Sequence, residues 1–225
     1  MPSPAPRTTA AAVEHVVVFA GGDPPLPEAM VGVAPAQRVI AADSGMDHAL
    51  SLGARVDVLV GDLDSISAEG RRQAEASGVR IVEHPAVKDA TDLELALGLA
   101  LDERPQRVTV VGGHGGRVDH LLANVSLLAS PMLAGVEVRA VLGPALVTIV
   151  RSAAALRGRP GELVSLLPTH GPAIGVTTEG LRYPLDAEDL PAGSPRGVSN
   201  VLLGSDATVT LRSGTLVAVQ PEAFA

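Results

Sequence analysis

The stretch Asp57-Val58-Leu59-Val60-Gly61-Asp62-Leu63-Asp64 decides how the rest of the chain is read. Val58, Leu59 and Val60 form an unbroken aliphatic run bounded by turn formers, the pattern of a strand buried on both faces of a parallel sheet. Gly61 lets the backbone turn sharply, so Asp62 and Asp64 emerge together at the carboxyl end of that strand. Ligands of open α/β sheets bind at that edge. Two carboxylates there make a seat for a hard divalent cation, with Mg2+ carrying a phosphate chain as the expected occupant. A calcium loop is excluded, because Ile66 and Ser67 stand where its pattern requires Asp or Asn and then Gly.

Outward from this strand the same design recurs. Val16–Ala20 and Arg38–Ala42 are expected strands on its N-terminal side, ending in Gly21-Gly22-Asp23 and Asp43-Ser44-Gly45, with a short helix over Met46–Leu52. On its C-terminal side Ser67 caps a polar helix running to Ser77, and Arg80–Glu83 is a fourth strand. Thr91-Asp92-Leu93-Glu94 is a capping box that opens a helix to Leu101 with Leu93, Ala96, Leu97 and Ala100 on one face. Arg107–Val111 and Val136–Leu142 are two further strands, with a helix over Val118–Ala129 between them. Alternation of strand and helix implies a parallel, Rossmann-like sheet with right-handed crossovers. From residue 144 onward only short strand-like runs appear, at Leu146–Val150, Leu163–Leu167, Ala207–Leu211 and Leu216–Val219, separated by Gly, Pro and Ser clusters. The expectation is therefore an α/β domain over residues 13–143, an all-β sandwich over 144–225, and a disordered Pro/Ala/Thr-rich tail over 1–12.

Composition narrows the function. The 225 residues carry a net charge of −8 and no basic run, which argues against a nucleic-acid surface. No apolar run reaches membrane-spanning length, and residues 1–12 lack the apolar core of a signal peptide. With no cysteine, thiolate zinc sites and thiol nucleophiles are excluded, in keeping with a cytoplasmic protein. The aromatics are Phe19, Tyr183 and Phe224 alone, so the core is aliphatic and each aromatic calls for its own explanation.

The chemistry-bearing residues gather at one expected sheet edge. Asp43, Asp62, Asp64, Lys88, Asp89, Thr91 and Asp92 all follow strands or precede the helix that leaves that edge. The Gly112-Gly113-His114-Gly115-Gly116 loop joins them and leads into a helix N-terminus, an arrangement that attracts anions. It is neither a Walker loop nor a dinucleotide fingerprint, since no Gly-Lys-Ser/Thr follows and Val118 takes the last glycine position. Arg117 is suited to grip phosphate through two parallel hydrogen bonds. Asp119 orients that arginine, binds metal or caps the helix, and His120 shares a helical face with Asn124.

In their order these blocks resemble the thiamine pyrophosphokinase family: Ala42-Asp43-Ser44-Gly45, Gly61-Asp62-Leu63-Asp64-Ser65, Lys88-Asp89-Ala90-Thr91-Asp92 and Gly115-Gly116-Arg117-Val118-Asp119-His120 with Asn124. The resemblance continues through Gly161–Pro168, Thr178–Leu185 and Gly197-Val198-Ser199-Asn200, so it covers nearly everything after the tail. It implies transfer of a diphosphate from ATP to thiamine, in a homodimer whose active sites each draw on both subunits. By resemblance, Asp43, Asp62, Asp64, Asp89 and Asp92 hold Mg2+. Lys88, Thr91, Asp92, Gly115, Gly116, Arg117, Asp119, His120 and Asn124 face ATP together with Asp43, while Asp62, Asp64, Asp89 and Arg117 form the catalytic set. Tyr183 stacks on the thiamine pyrimidine, and Ser199 and Asn200 lie at its polar edge. The family often places Trp where this chain has Tyr183, which leaves a smaller π-face for stacking. Two rival expectations stand beside this one. Asp62-Leu63-Asp64 is also the form of an aspartyl-phosphate phosphatase nucleophile motif, although two strands precede it here, and a thiamine- or nucleotide-binding regulatory module without turnover is the other.

Overall fold

The computed structural model describes residues 13–87 and 89–225, without the side chains of residues 29, 31 and 32. The expected tail over residues 1–12 and the candidate phosphate ligand Lys88 lie outside the described residues. Six parallel strands form the first half: β1 (His15–Phe19), β2 (Arg38–Ala42), β3 (Val58–Gly61), β4 (Arg80–Glu83), β5 (Arg107–Val111) and β6 (Glu137–Leu142). Their order is β6-β5-β1-β2-β3-β4, so the chain runs outward on both sides from the β1/β5 boundary. That reversal opens a crevice beyond the strand ends.

The helices form where the capping chemistry predicts. Ser67 Oγ accepts from Gly70 N at 2.9 Å to open α2 (Ala68–Ala76), and Thr91 Oγ1 accepts from Glu94 N at 3.2 Å to open α3 (Asp92–Asp102). Leu93, Ala96, Leu97 and Ala100 of α3 pack with Val16, Val18, Val58, Val60, Val108 and Val110 on one face of the sheet. On the other face α1 (Gly45–Ser51) and α2 cover Val17, Phe19, Ala41 and Leu59 through Met46, Ala49 and Ala74. Leu97 is fully buried, and truncating it to Ala costs about 2–5 kcal/mol. The last α-helix of this half is α4 (Val118–Leu128).

Beyond β6 the chain turns back at Gly143-Pro144 into β7 (Ala145–Val150), which pairs antiparallel with β6 from Arg139↔Thr148 to Leu142↔Ala145. Three more strands extend the same sheet: β9 (Leu163–Pro168), β12 (Asn200–Val201) and β14 (Leu216–Gln220). The full order is β12-β9-β14-β7-β6-β5-β1-β2-β3-β4, ten strands without a break. A second, antiparallel sheet packs against the extension in the order β11 (Glu188–Leu190), β10 (Ala173–Glu179), β13 (Asp206–Thr210), β8 (Ala153–Arg157). The core between the two sheets is built from Val150, Leu156, Val164, Leu166, Val176, Val209 and Leu216.

An α/β half followed by a β-sandwich half is thus observed. The expected boundary between residues 143 and 144 falls inside the β6–β7 hairpin turn, where backbone hydrogen bonds carry one sheet straight through both halves. Strands β8, β10, β11 and β12 have no counterpart among the expected runs. Ala153-Ala154-Ala155 has poor strand propensity, Gly175 interrupts β10, and β11 and β12 are three and two residues long. Cross-strand pairing imposes strand geometry on them.

Candidate active site

The turns after β2 and β3 and the first turn of α3 deliver Asp43, Asp62 and Asp92 to one place. One carboxylate oxygen from each lies within 4.8 Å of the others. Gly61 makes the convergence possible. It adopts φ +147°, and a Cβ there would stand 3.0 Å from Asp92 Oδ1 and 3.1 Å from Asp43 Cβ. Any side chain at 61 would occupy the space the acids share. Asp43 itself takes a left-handed backbone at φ +48°, a conformation Asp tolerates better than most residues, and is only 7% exposed.

Asp43 is held by one oxygen and open at the other. Ser65 Oγ donates to its Oδ2 and lies 3.1 Å from Ser44 Oγ, while Oδ1 is buried with no hydrogen-bond partner. Burial raises the Asp43 carboxyl above the ordinary carboxylate range. The Ser65 bond opposes that shift, and the charges of Asp92, Asp62 and Asp64 add to it. A buried acid with an unpartnered oxygen, crowded by two more carboxylates, is an all-oxygen donor set suited to a hard cation.

Of the five acids expected to hold metal, three converge. Asp64 and Asp89 are exposed and stand outside the converging group. Leu63, at φ +61° and 6% exposed, drops into the α1/α2 core and leaves Asp64 toward solvent. Asp89 precedes α3 by a short loop, while Asp92, in the helix's first turn, reaches inward.

The loops after β1 and β5 meet at the crevice. Gly113 N donates to Gly21 O at 2.7 Å and Asp23 N to His114 O at 2.8 Å, so the glycine-rich loop is buttressed across the strand-order reversal. A Cβ on Gly115 would overlap the Asp23 carboxylate. His114 packs its ring against Gly143, its Nδ1 is buried without a partner, and burial lowers its pKa. Asn124 Nδ2 donates to Gly113 O at 2.9 Å, which makes Asn124 an anchor of the loop. Arg117 and Asp119 form an exposed two-point pair, Nε–Oδ1 at 3.1 Å and Nη2–Oδ2 at 2.5 Å. Its hydrogen bonds hold the Asp119 carboxyl down at about 2. Asp119 therefore orients the arginine. Gly116 and His120 are exposed beside it, and Thr91 is occupied as the α3 cap. Sequence reasoning gave no site role to Asp23, Ser65 or His114, although Asp23 and Ser65 follow strand ends at the same edge as the acids.

A second constellation forms beside β12. Asn200 is buried, donates to Tyr183 O at 2.7 Å and accepts from Tyr183 N at 3.0 Å and Val201 N at 2.9 Å. Its amide is committed to backbone, so Asn200 positions Tyr183. Tyr183 itself is 56% exposed. Ser199 is exposed at φ +58°, with its N–H donating to Ser165 Oγ at 3.1 Å.

The thiamin pyrophosphokinase catalytic domain matches residues 33–140, and the thiamin pyrophosphokinase vitamin B1 binding domain matches residues 149–216. The chain belongs to the thiamine pyrophosphokinase family. A relative of that name from Bacillus subtilis is 29% identical over 191 residues, covering 80% of this chain and 86% of its own length. The crystal structure of the thiamine pyrophosphokinase from Bacillus subtilis superposes with TM-score 0.81 at 26% identity, covering 92% of this chain and 98% of that one. A yeast thiamin pyrophosphokinase structure shares the fold at TM-score 0.72 and 14% identity, over 94% and 87% of the two chains. Both matched domains contain one of the constellations described: the acids lie in the first, Tyr183 and Ser199 in the second. No helix among the described residues is long and apolar enough to cross a membrane.

Proposed function

We propose that the chain transfers the diphosphate of MgATP to the hydroxyl of thiamine, giving thiamine diphosphate and AMP. The observation that carries this is the meeting of Asp43, Asp62 and Asp92, the first with a buried and unpartnered carboxylate oxygen, in a chain whose two halves match the two domains of the family. Those three acids are the residues proposed to hold Mg2+. The ion, when bound, offsets phosphate charge in a site that is otherwise strongly acidic.

The chain's own residues do the rest. The Gly112–Gly116 loop, clamped by Gly21 and Asn124, presents backbone to the polyphosphate. Arg117, aligned by Asp119, supplies two donors to the charge that grows on the phosphoryl oxygens. Tyr183 offers its exposed face to the thiamine pyrimidine, and Ser199 a hydroxyl to its edge. In-line attack of the hydroxyl on the β-phosphorus then needs positioning more than covalent help. No carboxylate is assigned as general base.

We further propose that a second copy of the chain completes each site. Tyr183 and Ser199 flank β12 at one edge of the ten-stranded sheet, and the acids follow β2 and β3 near the other. Eight interstrand steps from β3 to β12, at about 4.8 Å each, place the two constellations on the order of 35 Å apart within one chain. That gap is far beyond the reach of a thiamine molecule. Exposed apolar residues accompany both: Val118 and Leu122 along α4, and Val198 and Leu203 beside Tyr183. A cytoplasmic location, where ATP is supplied, belongs to the same proposal.

The test is incubation with ATP, Mg2+ and thiamine and identification of the nucleotide released. AMP with thiamine diphosphate supports the proposal. ADP points to an ordinary kinase, phosphate release without ATP to a phosphatase, and binding without turnover to a regulatory module. Mixing Asp62→Asn protein with Tyr183→Ala protein tests the shared site: subunit exchange restores turnover at low thiamine if two chains build it, and restores nothing if one chain does. Leu122→Asp is expected to yield monomers of low activity by size exclusion and AMP assay.

A further inference from the structure

One face of the ten-stranded sheet is covered by two different layers, α1 and α2 over β1–β3 and the four-stranded sheet over β7, β14 and β9. At the seam between them, pairing sets Thr109, Arg139 and Thr148 in a row across β5, β6 and β7. Arg107 and Glu137 are paired across β5 and β6 one position over on the same face. Thr109 and Thr148 are buried, and Thr109 is engaged by His15 Nε2 at 2.9 Å. Such a row on a sheet face that is apolar elsewhere calls for a cause.

A cavity of about 550 Å³ opens here, lined by Glu137, Arg139, Thr148, Arg151 and Ser152. Its charge is unbalanced. Arg107 and Arg139 share one carboxylate, Glu137, at 3.1 and 3.0 Å. Arg151 has no carboxylate partner among the described residues; its guanidinium reaches the carbonyls of Leu128 and Ser130 at the end of α4, at 3.4 and 3.0 Å. Arg139 keeps a buried Nε with no hydrogen-bond partner. Three arginines against one glutamate is a local surplus of cation in a chain whose net charge is −8. A buried guanidinium nitrogen without an acceptor, as at Arg139 Nε, is costly, and an oxyanion accepting from it removes that cost.

From this we infer that the seam cavity is a binding site for a small oxyanion, a phosphate or carboxylate group, with Arg139 and Arg151 as its cationic donors and Thr148 and Ser152 as hydroxyl partners. It is separate from the acid cluster. Glu137 begins β6 and Val150 ends the antiparallel β7, so the cavity lies at the amino-terminal end of the parallel strands, whereas Asp43 and Asp62 follow carboxyl-terminal ends. The inference does not depend on the proposed diphosphate transfer.

Calorimetric titration of the full chain with inorganic phosphate, diphosphate and citrate at constant ionic strength tests it, without Mg2+ or nucleotide. Saturable binding is expected, with the dissociation constant rising about tenfold or more in Arg139→Gln and in Arg151→Gln. Arg157→Gln, the same charge change at an exposed arginine of β8, is expected to bind as the parent does. Preference for phosphate or diphosphate over citrate assigns a phosphate ligand, and the reverse a carboxylate one. Should Arg139→Gln fail to fold, Arg139→Lys keeps the charge without the fork and is expected to bind more weakly. Absence of saturable binding by the parent overturns the inference. So does loss of binding in Arg117→Ala with retention in Arg151→Gln.

Discussion

The two halves present their candidate ligand groups in opposite ways. At the β2/β3 edge the acids are drawn inward: Asp43 is buried, fixed by Ser65, and strained toward neutrality by its neighbours. Beside β12 the pattern reverses, for the buried residue, Asn200, binds only backbone, and Tyr183 stands in solvent. Charge needs a low-dielectric, preorganised setting before a cation outcompetes water for it, whereas an aromatic face needs only to be held at the right angle until a partner covers it. One half gathers its acids inward around one another, and the other presents an aromatic face to solvent.

The comparison predicts unequal losses. Asp62→Asn removes one of three converging acids, and AMP formation is expected to fall by about three powers of ten while thiamine binding, followed by Tyr183 fluorescence, is retained. An equal loss of thiamine binding breaks the division between the halves. Arg117→Ala is expected to lower kcat by about two to three powers of ten with little change in the thiamine KM. Tyr183→Ala acts on the other half, raising the thiamine KM by about tenfold with kcat held within severalfold, and Tyr183→Trp lowers KM below the parent value.

The smallest effect concerns stability. Because the folded-state pKa of Asp43 is raised, its contribution is present at acid pH, below the ordinary carboxylate range, and is lost as pH rises through the raised value. Above that raised value, metal-free protein carries an unfavourable buried charge. Asp43→Asn is expected to melt a few degrees higher than the parent in chelator at pH 7, with the gap closing toward pH 4 and reversing when Mg2+ is added to both. An unchanged melting temperature at pH 7 removes the claim that Asp43 is held under electrostatic tension.

Much of the first half was legible because its signals are local. An aliphatic triplet ended by Gly61, the Ser67 and Thr91 caps, and the apolar stripe of α3 each act within a few residues, so strands, helices and the edge where the acids gather follow from the sequence. Which acids meet was not local. It depended on Leu63 turning into the core, on the missing side chain at Gly61, and on the first turn of α3 reaching across to β3.

By itself the sequence determined an α/β half followed by a β-rich half and the residue types available at one sheet edge, because period and capping are set by neighbours along the chain. The tertiary structure alone decided that a single sheet joins both halves, that three of five expected acids converge, and that Asn124 and Asn200 brace backbone. Those outcomes depend on strand order and on which side chains exclude one another, and contacts between residues far apart in the chain leave no periodic trace in it.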